Sequence, residues 1–187
     1  MNVIASSKRC GAARGFTLIE ILVVVAIMGI FLALSYPSVM NVLAERDLEN
    51  QTREVQAFFQ MTKLQAVNTK VNHRVRFFQP DGTSWAYEME RMEADLTTEP
   101  STLSWVRVPG SLQKTISRSF NVTITLPFAG SDHVAEFSPV GTVANFGVDQ
   151  NSVILQSPKL AGLDQMDECI LSLFMGGSIQ YAKRRSS

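Results

Sequence analysis

The sequence predicts an α+β fold, a long N-terminal helix followed by a domain of antiparallel strands. Three observations carry this. Residues 16–36 form an apolar run broken by one charged side chain, Glu20. Helical spacing of apolar residues then continues to about Lys70, with no Pro or Gly between residues 38 and 70. From Val71 the apolar period drops to two, the period of a strand.

The first element is of membrane length. At about 1.5 Å per residue, residues 16–36 reach roughly 31 Å, enough for a hydrocarbon core of about 30 Å. The preceding leader carries Lys8, Arg9 and Arg14 and no acid. That asymmetry keeps the N-terminus cytoplasmic and sends the C-terminal part across the membrane. An ordinary secretory signal is cut after its apolar region, but Ser35-Tyr36-Pro37-Ser38 is a poor site of that kind. A better cut lies before the apolar region, so the helix stays with the mature protein.

Glu20 and Pro37 are the odd residues of this element. An acid in a membrane helix costs about 2.5–3.5 kcal/mol on insertion scales. Glu20 therefore either reaches the headgroups from near the helix end or meets a positive partner. Pro37 cannot donate a backbone hydrogen bond, so it marks the exit from the membrane or a kink. Gly29 is a second point of low helix propensity, or a place of close helix packing.

The helix continues as an amphipathic segment over residues 37–70. Ala44, Leu48, Val55, Phe58, Phe59, Thr62 and Ala66 recur on one face, and Glu45, Arg46, Asp47, Glu49, Arg53, Glu54 and Lys63 supply a polar surface. The apolar stripe is expected to lie on a sheet. Residues 73–77 alternate, Pro80-Asp81-Gly82 turns the chain, and Trp85, Tyr87 and Met89 form one face of the next strand. Residues 91–101 read as a polar loop. Further strands are expected at 103–108, 120–126, 134–138, 153–156 and 170–174. A short last strand at 178–181 follows Gly176-Gly177. Residues 71–187 suffice for one domain with its own core.

Composition narrows the function. Losing three of the 17 bases with the leader leaves 14 against 17 acids, so a globally basic nucleic-acid binder is not indicated. Cys10 leaves with the leader. Cys169 sits in an apolar run and reads as a buried thiol, the alternative being a bond to another chain. His73 and His133 have no metal-ligand spacing. Glu88, Glu90, Glu93 and Asp95 read as a solvated strand end and loop, with an oxygen-rich calcium site as the alternative. No hydrolase, zinc-protease or phosphate-loop motif is present. No cofactor, no metal and no catalysis are expected. Lys183, Arg184 and Arg185 read as a solvated basic tail or as contacts to nucleic-acid phosphates.

The run Gly15-Phe16-Thr17, with Glu20 fifth and Pro37 twenty-second after the cut, resembles the type IV pilin and pseudopilin superfamily. The resemblance implies a pilin-like fold and cleavage after Gly15 by a prepilin peptidase, with N-methylation of Phe16. It implies that Glu20 accepts the N-terminal amine of a neighbouring subunit and that Pro37 kinks the helix. The order of elements, Phe137-Ser138-Pro139-Val140-Gly141-Thr142 and the closing Met175-Gly176-Gly177-Ser178-Ile179 are similar to the GspH/FimT group of minor pseudopilins and pilins. Such a subunit resides in the bacterial inner membrane with a periplasmic domain. Its implied partners are other minor subunits, the major subunit and an inner-membrane assembly platform. Some members bind DNA through a Gly-Arg-x-Arg motif; Gly177-Ser178-Ile179-Gln180 lacks both arginines, so DNA is not an expected partner.

Overall fold

The computed structural model describes residues 16–95, 102–163 and 165–186. The fold is α+β, as the period change predicts. The chain divides into two compact units that part between Met40 and Asn41, and one helix, α1 (Leu18–Thr69), contributes to both. In the first unit its large apolar side chains are exposed, Phe31 by 66% and Leu32 by 73%. Among the described residues α1 is the one helix long and apolar enough to cross a membrane.

In the second unit α1 supplies a stripe of buried side chains: Leu48, Thr52, Val55, Phe59, Thr62 and Ala66. These recur every three or four residues, which places them on one face. The two threonines are tolerated there because each hydroxyl donates to the carbonyl one turn back. Thr52 Oγ1 bonds Leu48 O and Thr62 Oγ1 bonds Phe58 O, both at 2.8 Å. The helix ends where Lys70 takes a left-handed conformation, φ 60°.

The described strands are β1 (His73–Phe78), β2 (Ala86–Asp95), β3 (Thr102–Arg107), β4 (Lys114–Thr115), β5 (Asn121–Thr125), β6 (Phe128–Ala129), β7 (Asp132–Phe137), β8 (Ser152–Gln156), β9 (Glu168–Leu173) and β10 (Ile179–Arg184). A one-turn helix, α2 (Pro158–Ala161), separates β8 from β9. All pairings are antiparallel. Sheet A runs β3-β2-β1-β7-β6 with β4 also on β2, and sheet B runs β10-β9-β8-β5.

The helix packs on both sheets. Phe59 meets Phe77 of β1 and Phe137 of β7 at ring-centroid distances of 5.7 and 6.3 Å, and Phe58 meets Tyr87 of β2 edge-on at 4.9 Å. Earlier turns face sheet B, where Arg53 lies 5.7 Å from the Tyr181 ring of β10. Near the last turns of α1 two loops cross closely. A Cβ on Gly177 would collide with the Gly141 carbonyl oxygen, and both glycines have positive φ, 74° and 83°. Lys63 Nζ donates to Gly177 O at 2.9 Å and fixes the crossing to the helix.

Two expectations need correction. Residues 91–95 are not loop: β2 continues to Asp95, paired to β1 on one side and β3 on the other. The remainder of that expected loop, residues 96–101, lies outside the described residues. The last strand is also longer than expected, running to Arg184. Ion pairs neutralise charges that suggested solvent: Glu93 meets Arg91 within β2, Arg184 meets Glu168 across the β9–β10 pair, and Lys183 meets Glu45 and Glu49 of α1. The short β4, β6 and α2 had no sequence signal of strand or helix length.

Candidate functional site

The segment expected from the sequence to carry assembly chemistry is the start of α1. Phe16 precedes the helix and is 75% exposed. Thr17 caps it: Glu20 N–H lies 3.1 Å from Thr17 O and 3.3 Å from Thr17 Oγ1, and Ile21 N–H donates to Thr17 O at 3.3 Å. A threonine cap with a glutamate three residues on is a capping-box pattern, legible in Thr17-Leu18-Ile19-Glu20 and missed by a reading centred on the carboxylate. The cap fixes the helix start at Leu18, two residues after Phe16. Glu20 therefore sits in the first turn, exposed, where the helix dipole favours a negative charge. Gly15, the expected cleavage residue, lies outside the described residues. Pro37 lies within α1.

The C-terminal cations occupy different surroundings from the expected free tail. Lys183 is in β10, its side chain only 15% exposed, and its ammonium bonds Glu45 and, at 3.0 Å, Glu49 of α1. Burial alone would lower the Lys183 pKa, but the two carboxylates hold it above its usual value. Arg184 Nε meets Glu168 Oε2 at 2.6 Å across the β9–β10 pair. Arg185 follows β10 and is exposed. Two of the three proposed phosphate contacts are thus engaged by acids of the same chain.

The acidic cluster is divided as well. Glu88 and Glu90 are buried on the face of sheet A opposite the helix. Arg74 Nε meets Glu90 at 2.6 Å, Arg76 Nη1 meets Glu90 at 2.9 Å and Glu88 at 3.3 Å, and Arg76 Nε meets Asp132 at 3.1 Å. Glu93 pairs with Arg91 instead. Among the described residues no three His, Cys, Asp or Glu side chains are gathered to hold a metal ion.

The other singled-out residues lie in packing positions. His73 is buried, its Nδ1 2.9 Å from Val71 O, and His133 stacks on Phe128 with ring centroids 4.3 Å apart. Cys169 is buried 3.2 Å from the Tyr181 hydroxyl, and burial raises its thiol pKa, which keeps it protonated and unreactive. Trp85 lies just before β2, partly buried against the core, and Trp105 lies over the Arg74 guanidinium at 4.3 Å.

Residues 11–36 match the family model of the prokaryotic N-terminal methylation motif. A search of curated proteins and a search of solved structures gave no match. The motif supports a type IV pilin-like chain. It implies processing by a prepilin peptidase and assembly with other pilins, and it points to a structural subunit rather than an enzyme. With one apolar N-terminal helix, it is consistent with single-pass anchoring in an inner membrane.

Proposed function

We propose that the chain is a minor pseudopilin or minor pilin of the GspH/FimT type. It helps to initiate or cap a type II secretion pseudopilus or a type IV pilus. One observation carries the reading: an exposed apolar helix, capped at Thr17, begins inside the matched methylation motif, residues 11–36. Such a helix is stable only in lipid or against other helices of its kind.

On this reading the peptidase cuts between Gly15 and Phe16, and Phe16 is N-methylated. Methylation leaves the amine protonatable, so it can pair with Glu20 of a neighbouring subunit. A buried pair of this kind sets register between subunits more than it adds stability. Residues 16–36 form the filament core, and Pro37 lets the helix bend on leaving it. The second unit contacts other minor subunits, the major subunit and the inner-membrane assembly platform.

The alternative, a DNA-uptake pilin using Lys183, Arg184 and Arg185, has less support, since Glu45, Glu49 and Glu168 hold the first two. The test is mass spectrometry of the N-terminal peptide from cells, combined with cross-linking from the second unit. A methylated Phe16 and pilin-type partners are expected. An intact leader with no pilin partner would overturn the proposal.

A further inference from the structure

The outer edge of β3 offers main-chain bonding groups that nothing described uses. In sheet A, β3 is terminal and pairs with β2 on one side. Val108 N–H donates to Met89 O at 3.0 Å. Hydrogen-bonded and non-bonded pairs alternate along an antiparallel ladder, so Val106 with Arg91 and Ser104 with Glu93 are the next bonded pairs. The N–H and C=O groups of Leu103, Trp105 and Arg107 therefore point away from β2. Among the described residues no strand pairs with them.

Natural sheets protect such an edge with proline, lysine, a bulge or a cover. Residues 103–108, Leu-Ser-Trp-Val-Arg-Val, contain none of these residues. Leu103 is 69% exposed, and Trp105 is held flat by the Arg74 guanidinium beneath it. Arg107 is the one charge on this stretch, half-exposed, its Nε 3.5 Å from Glu88 and its Nη2 donating to Ser111 O at 3.1 Å.

We propose that this edge accepts an extended segment of another polypeptide as an added antiparallel strand. That segment carries a carboxylate side chain opposite Arg107 and aliphatic side chains opposite Trp105 and Leu103. Charge selects this occupant: a second copy of β3 brings another arginine and no acid. Main-chain bonds to Leu103, Trp105 and Arg107 supply affinity, and the three side chains on their shared face supply specificity. The inference does not depend on which filament the chain serves.

The test uses the full chain in detergent micelles and the end-capped peptide Thr-Glu-Thr-Val-Thr-Val-Thr. Amide hydrogen exchange is read residue by residue. With millimolar peptide, exchange at Leu103, Trp105 and Arg107 is expected to slow, while the rest of sheet A is unchanged. Leu103→Pro removes one outward N–H and no bond to β2, which an edge strand tolerates. It should weaken peptide binding about tenfold. A peptide with lysine for glutamate should bind less well to the native chain and better to Arg107→Glu. No protection at these amides, or equal binding by Leu103→Pro, overturns the proposal. Protection that rises with protein concentration in the absence of peptide overturns it too, by making a second copy the occupant.

Discussion

Asp167 accepts hydrogen bonds from Ser186 N–H at 2.8 Å, Ser186 Oγ–H at 2.7 Å and Gln156 Nε2–H at 2.9 Å. Burial pushes its carboxyl up, but these donors outweigh it and hold the pKa at about 2, below the ordinary 3.8. A depressed carboxyl stabilises the fold above its unfolded pKa and loses that contribution as pH falls through the folded value. Asp167→Ala should therefore cost about 1–3 kcal/mol at neutral pH. It should also flatten the loss of thermal stability between about pH 4 and pH 2. Unfolding scans of both proteins across that range check it; an unchanged acid slope would reject the assignment. At this scale the sequence was legible where chemistry is local. Phe16, Thr17 and Glu20 stand in one short pattern. The role of Asp167 was not legible, because its donors come from residues 156 and 186, and the partners of Lys183 lie 134 and 138 residues away.

The long helix was readable as an element because its apolar stripe persists over many turns, and the strands with clean alternation were readable too. β2 was read too short. Arg91, Glu93 and Asp95 look like loop composition, yet Glu93 meets Arg91 on its own strand and all three residues pair with β3 through the backbone, which the pattern of one strand cannot show. The two kinds of ion pair on β2 should differ in weight. Glu90 is 4% exposed and serves both Arg74 and Arg76. Removing it leaves buried positive charge, and Glu90→Ala should cost about 3 kcal/mol. Glu93 and Arg91 are each 38% exposed along their side chains. Glu93→Ala should cost less than about 1 kcal/mol. Denaturant unfolding of the two variants checks the order; equal losses would contradict the burial argument.

At the scale of the molecule, the hydrophobic core begins, among the described residues, at Leu48 and takes none of those of the first unit. A fragment comprising residues 41–187 should fold cooperatively, with a melting temperature within a few degrees of the full chain in detergent. Circular dichroism and thermal unfolding check this, and a fragment without a cooperative transition would refute it. The pairing of Lys183 with Glu45 and Glu49 also has a consequence in time. Synthesis makes the two glutamates 138 and 134 residues before the lysine. Until then the acids stand four residues apart on one helix, like charges that weaken the turn they share. The turn is closed when β10 takes its place and brings Lys183 to it. A chain released too soon keeps the repulsion and leaves Cys169 and its neighbours in β9 without their outer strand.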